Sequence, residues 1–152
     1  MHQWTPHVTV ACVIEKDGKY LMVEERDKTS GELVFNQPAG HLEHGESITA
    51  AALRETLEET GWNIELTGVL GIALHLAPKT GITYLRTTFL ATPLQHEENT
   101  ELDPDIHAVH WLDYDAILAR SARMRSPLAL AVIERHRQGI CFPLDVIHSP
   151  WA

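Results

Sequence analysis

Two rhythms of apolar positions divide the chain. Residues 7–14, HVTVACVI, are almost all apolar or β-branched, the pattern of a strand covered on both faces. Lys16-Asp17-Gly18-Lys19 is a turn signal, and residues 20–24 resume the strand pattern, so this stretch predicts a hairpin. Residues 27–32 are a polar loop. Residues 33–35 predict a short strand, stopped by Pro38 and Gly40.

The rhythm then changes. Residues 47–60 hold neither proline nor glycine and are rich in alanine, leucine and glutamate. Ser47 suits an N-cap and Gly61 suits the left-handed residue beyond the last turn, so a helix is predicted between them. Strands are predicted at 66–76 and 83–92, joined through Pro78-Lys79-Thr80-Gly81, and at 109–112. Asp113 would cap a helix over 114–121. Ser126-Pro127 opens a last helix ending near Gly139, with proline at its first position. The order β-β-β-α-β-β-β-α-α predicts an α/β (α+β) fold, a mixed β-sheet sandwiched between helices.

Composition narrows the class. A length of 152 residues suits a single domain, 1–152, with one sizeable core. Hydrophobic residues at 44% and charged residues at 22% fit a soluble globular chain rather than a disordered one. No apolar run approaches the roughly 18 residues of a membrane span. The segment from Met1 to Pro6 lacks the basic and apolar regions of a leader, so a cytoplasmic location is expected. A net charge of -9 argues against binding nucleic-acid polymers or an anionic membrane surface. Cys12 lies within the first apolar run and is expected to be a buried thiol; Cys12 and Cys141 form no metal-binding spacing.

The chemistry concentrates in Gly40-His41-Leu42-Glu43-His44-Gly45-Glu46 and the helix after it. Glu55, Glu58 and Glu59 stand at i, i+3 and i+4, so their carboxylates share one region of the helix surface, at a cost of about 0.2–0.5 kcal/mol per like-charge pair. Arg54 offsets part of this through Glu58. Mg²⁺ would offset more, since it takes carboxylates, phosphates and water as hard oxygen ligands. Acidic residues at helical spacing are most often a solvated face. The wider pattern argues otherwise: Gly40, Glu46, Arg54, Glu55, Glu58, Glu59 and Gly61 are fixed at set intervals, and the chance of such a match at one start is on the order of 10⁻⁸.

That pattern resembles the Nudix box, Gly-x5-Glu-x7-Arg-Glu-U-x-Glu-Glu-x-Gly-U, where U is bulky and apolar. Residues 7–13, 36–43 and Arg125-Ser126-Pro127-Leu128 are most similar to the NudJ-type nucleoside di/triphosphate phosphatases of that family. Thr56 departs from the box at the first U position; its methyl can still pack, and its hydroxyl can bond back to the Ala52 carbonyl. Trp62 meets the second U position.

The resemblance implies hydrolysis of a phosphoanhydride bond by water attacking phosphorus, in nucleoside di- and triphosphates or related organic pyrophosphates, thiamine-pathway pyrophosphates included. It implies a divalent cofactor, Mg²⁺ with Mn²⁺ as substitute, held by Glu58, Glu59 and the Gly40 carbonyl, with Glu55 as a further ligand or the base for water. Arg54 would orient these carboxylates, completing a catalytic group of Glu55, Arg54 and Glu58. Glu46 would favour the helix dipole or reach a metal through water. Asp105 is the candidate for an additional acidic ligand from the loop crowded by Glu97, Glu98, Glu101 and Asp103.

Arg86, a charge in a strand of β-formers, calls for either a phosphate or a structural carboxylate. Asn36, Gln37, His41, His7 and Tyr84 are the further substrate-binding candidates, each with a structural role as its alternative. The expected partner is a small-molecule nucleotide or pyrophosphate, bound by a monomer or homodimer. A different class of function, a catalytically silent nucleotide-sensing module, has no need of intact Glu55, Glu58 and Glu59. Isomerase chemistry on a diphosphate would call for a placed cysteine, which neither Cys12 nor Cys141 provides.

Overall fold

A computed structural model describes residues 3–150. Met1 and His2, part of the stretch read above as lacking a leader, lie outside the described residues, as do Trp151 and Ala152. The described chain runs β1 (His7–Lys16), β2 (Lys19–Arg26), β3 (Leu33–Asn36), β4 (Ala39–His41), α1 (Ile48–Thr60), β5 (Trp62–Leu76), β6 (Thr83–His96), β7 (Ile106–Asp113), α2 (Tyr114–Ala119) and α3 (Pro127–Arg137). Short 3₁₀ turns at Ser121–Arg123 and Leu144–Val146 follow α2 and α3.

The sheet is mixed, in the order β3-β2-β1-β6-β5, with β4 paired to β1 and β7 to β2. Its centre is the parallel pair of β1 and β6, in register from His7 with Tyr84 to Ile14 with Ala91. β1 has both faces covered, as its unbroken apolar run requires. Val10, Cys12 and Ile14 pack with Ala51 and Ala52 of α1. Val13 packs on the other side with Ile117 of α2 and with Val132 and Ile133 of α3. The sheet therefore lies between helices, as the order of elements predicts.

Several boundaries differ from the sequence expectation, and β5 and β7 open earlier than residues 66 and 109, at Trp62 and Ile106. Pro38 and Gly40 do not stop the chain; Ala39–His41 forms β4, antiparallel to Thr9–Ala11. Pro38 lacks an N–H, but its carbonyl still accepts from the Cys12 N–H at 3.0 Å. β6 continues through Pro93, which lies past Ala91, the last residue paired with β1, and opposite a bulge at Asn63 and Ile64. A proline there disrupts no central ladder. The α2 helix ends at Ala119 and tightens into a 3₁₀ turn.

Cys12 is buried, and burial pushes its thiol up to about 12, which leaves it inert; Cys141 is exposed. Among the described residues, no helix is long and apolar enough to cross a membrane.

Candidate active site

Helix α1 is fixed at both ends by the residues the sequence marks. The Ser47 hydroxyl accepts from the Ala50 N–H at 3.1 Å. Gly61 takes φ 77°, and its N–H donates to the Leu57 carbonyl at 2.9 Å. Thr56 is fully buried, and its hydroxyl donates to the Ala52 carbonyl at 2.9 Å. The departure from the box is thereby absorbed within the helix.

Arg54 holds the acidic groups in place. Its Nε and Nη2 grip Glu46 at 2.6 and 2.9 Å. Nη1 reaches Glu55 at 2.8 Å and Glu58 at 3.2 Å, and Nη2 donates to the His41 carbonyl at 3.1 Å. Glu46 thus has a role not foreseen for it, as an anchor for Arg54. It precedes the N-cap, and the Arg54 guanidinium pairs with it and holds its carboxyl below the usual range. One side chain ties the loop after β4 to the helix that follows.

Glu55 lies directly beneath Gly40. A β-carbon on Gly40 would stand 2.1 Å from the Glu55 Cδ, so only glycine allows strand and carboxylate to approach this closely. Burial raises the Glu55 carboxyl despite the ion pair to Arg54. Glu59 is buried, and its Oε1 accepts the Ala39 N–H at 2.8 Å. Burial, and next the neighbouring Glu25, push its carboxyl up to about 9, with Glu55 and Asp103 adding to the effect. Glu58 differs from both: its side chain is 50% exposed and turned toward Arg54.

Gly40, Glu55 and Glu59 border a cavity of about 630 Å³. Of the residues named from sequence, Asn36, Gly40, His41, Glu55, Glu59, Tyr84, Arg86 and Asp105 line it. His7, Gln37, Arg54 and Glu58 stand outside the lining. Among the described residues, no three His, Cys, Asp or Glu side chains close into a ready-made metal cage. Asp105 sits at the rim, paired with Lys28 at 3.1 Å.

Arg86 departs from the structural-carboxylate alternative offered for it. No carboxylate bonds it. Nη2 donates to Gln37 Oε1 at 2.7 Å and Nη1 to Asn36 Oδ1 at 3.5 Å, while Nε has no partner. The residue is 6% exposed, and burial draws the guanidinium down to about 10. Gln37 is fully buried and also donates to the Ala129 carbonyl of α3 at 2.6 Å, so it positions Arg86 from behind. His7 Nδ1 and His41 Nε2 lie 3.0 Å apart, with Tyr84 packed edge-on to both rings.

Glu25 and Arg125, which sequence reasoning missed, and Asp103, which it left among the acidic loop residues, also line the cavity. Glu25 is buried and accepts from Arg125 Nη1 at 2.5 Å. Its position is in phase with Leu21, on the face of β2 that packs with Ala51 and Ala52 of α1. Asp103 is fixed by its N–H to the Glu58 carbonyl at 2.9 Å and raises Glu25, Glu55 and Glu59. Nothing in the sequence separates it from its acidic neighbours.

The NUDIX domain family matches residues 5–131, which contain both the helix and the strands around this cavity. The chain is a Nudix hydrolase. Relatives of this Nudix hydrolase include Phosphatase NudJ of Escherichia coli strain K12, 38% identical over 143 residues, covering 93% of this chain and 90% of that one. Phosphatase NudJ of Shigella boydii serotype 4 matches with the same identity and coverage. A solved NUDIX hydrolase from Nitrosomonas europaea superposes with a TM-score of 0.93 at 42% identity, covering 95% of this chain and 97% of that one. A structure titled UDP-X diphosphatase, at 20% identity, covers 91% of this chain and 66% of that one, and shares the fold with a TM-score of 0.70.

Proposed function

We propose that this Nudix hydrolase, acting as one domain, cleaves a phosphoanhydride bond in nucleoside di- or triphosphates or related organic pyrophosphates, thiamine-pathway pyrophosphates included, by attack of water on phosphorus. The observation that carries this reading is Glu59, a buried carboxylate with Glu25, Glu55 and Asp103 close by, bordering a cavity that Arg86 also lines. Such a cluster fits a cation better than it fits solvent. The NudJ relatives, named phosphatases, support the same class of reaction.

The donor set fits a hard divalent ion, Mg²⁺ with Mn²⁺ as substitute: carboxylates of Glu55, Glu58 and Glu59, the Gly40 carbonyl, and Asp105 from the rim. The bare Cα of Gly40 over Glu55 supports the fit, because a side chain there would fill the cradle. When bound, the ion supplies neutralisation of phosphate charge and a more acidic water.

The chain's own groups do the rest. Arg54 orients Glu46, Glu55 and Glu58 without touching substrate. Glu55, raised by burial, takes the proton of the attacking water. Arg86, which lines the cavity with Asn36 and Gln37 fixing its plane, supplies positive charge to a phosphate group. His41, His7 and Tyr84 contact the organic part of the substrate.

A panel of nucleotides and organic pyrophosphates, hydrolysed in ¹⁸O-water and read by phosphorus NMR, identifies the substrate and the phosphorus attacked. Turnover should stop with a chelator and return with Mg²⁺. Glu59→Gln should lower kcat at least about a hundredfold, equivalent to about 2.7 kcal/mol in the barrier. Hydrolysis that resists the chelator, or near-normal rates in Glu59→Gln, would overturn the assignment.

A further inference from the structure

The outer end of β5 carries a surface that the active site does not use. Ile72, Leu74 and Leu76 alternate along the strand and are 63%, 67% and 63% exposed. They stand beside Thr87, Leu85 and Thr83 of β6, on the face opposite Tyr84 and Arg86. β5 is also an edge strand. Its outer edge is covered as far as Leu70: Val69 pairs with Phe142, and Arg135 Nε donates to the Leu70 carbonyl at 2.7 Å. Among the described residues, nothing pairs with the outer edge of residues 72–76.

Edge strands are ordinarily guarded by charges, prolines or bulges. Here the guards stand only at the two ends, a bulge between Val69 and Gly71 before the row and Pro78-Lys79 after it. Between them lies a bare segment of five residues, long enough for a strand pairing.

We propose that residues 72–76 pair antiparallel with the same residues of a second copy of the chain, across a two-fold axis at Leu74. This register sets Leu74 opposite Leu74 and Ile72 opposite Leu76, so every exposed aliphatic residue in the row meets another. The surface is self-complementary, as an isologous interface must be. Charge favours a second copy over an acidic or basic partner. The chain has a net charge of -9, yet residues 66–96 contain no aspartate or glutamate, and Glu134 of α3, which lines a hollow beside Leu76, is hydrogen-bonded to Tyr114. Two copies can therefore approach through this face without the repulsion that the rest of the surface imposes.

The test is the solution mass of the full chain by sedimentation velocity and light scattering, from about 1 to about 100 μM, the range in which a modest interface saturates. The wild type should reach twice the chain mass of 17.1 kDa, and amide exchange over 72–76 should slow as concentration rises. Leu74→Glu sets two carboxylates face to face across the axis and should stay monomeric, with the circular-dichroism spectrum of the folded chain and unchanged turnover. Leu94→Glu, at an equally exposed position away from this row, should dimerise like the wild type. A wild type that remains monomeric at about 100 μM, a folded Leu74→Glu that still dimerises, or a dimer lost equally in Leu94→Glu would overturn the proposal. Mass is read independently of turnover, so this result stands apart from the catalytic assignment.

Discussion

Replacing Gly40 with alanine separates the geometry of the site from the stability of the fold. The new β-carbon would stand 2.1 Å from Glu55 Cδ and 2.3 Å from each carboxylate oxygen. Restoring an ordinary carbon–carbon contact of about 3.5 Å requires a shift of about 1.4 Å. The Gly40 backbone is extended and paired with Val10, so alanine is compatible there and Glu55, at the end of a flexible side chain, is the group that yields. Misplacing a reacting group by about 1 Å costs on the order of a hundredfold in rate. We expect kcat to fall at least about a hundredfold, equivalent to about 2.7 kcal/mol.

Stability responds less. Repacking costs about 1–3 kcal/mol, and the loss of glycine's freedom in the unfolded chain returns about 0.4–1 kcal/mol. The melting temperature should therefore drop by less than about 10 °C. Turnover of the preferred substrate and a circular-dichroism melt on the same sample measure both quantities. A Gly40→Ala enzyme within about threefold of wild-type kcat would refute the claim that Glu55 must stand where it does.

Arg54→Lys keeps the charge but cannot reach Glu46, Glu55 and Glu58 together. With the site partly open to solvent, we expect a ten- to hundredfold loss of kcat, on the order of 1.4–2.7 kcal/mol, with KM changed less; unaltered kcat in steady-state assays would remove Arg54 from its positioning role. The metal-free protein should lose stability as pH rises from about 4.5 to about 9, because folded Glu59 keeps a proton that the unfolded chain releases. Urea midpoints in chelator at several pH values should show this slope, and Glu59→Gln should flatten it; parallel slopes in the two proteins would contradict the buried-carboxylate reading.

Local signals were legible and non-local ones were not. The caps of α1 and the spacing of Glu55, Glu58 and Glu59 are written within one helix, so sequence alone places them. Thr56 could be resolved for the same reason, since its bond partner lies one turn back. Strand β4 was not legible, because Pro38 and Gly40 punctuate the chain like a turn. What makes it a strand is β1 on one side and Glu55 beneath, both distant in sequence. The pairing of Glu46 with Arg54 was not legible for a related reason: the proximity of Glu46 to the helix start is visible, while the two-pronged grip of Arg54 eight residues on depends on the fold of the loop. The amide partners of Arg86 come from residues about fifty positions away. No periodicity reports such a pairing.

The central parallel pair also governs when the pocket can exist. β1 begins at His7, and its partner β6 ends at His96. Until that later strand emerges during synthesis, the first strand lacks its only parallel partner, and contacts of such long sequence separation form slowly. Both walls of the cavity hang on Thr9 of β1, which pairs with His41 on one side and Arg86 on the other. The hairpin and helix α1 can form from what has already been made, but the cleft between Gly40 and Arg86 is among the last features to close. A nascent chain halted before β6 would carry every acidic residue of the box and still have nowhere to hold a phosphate.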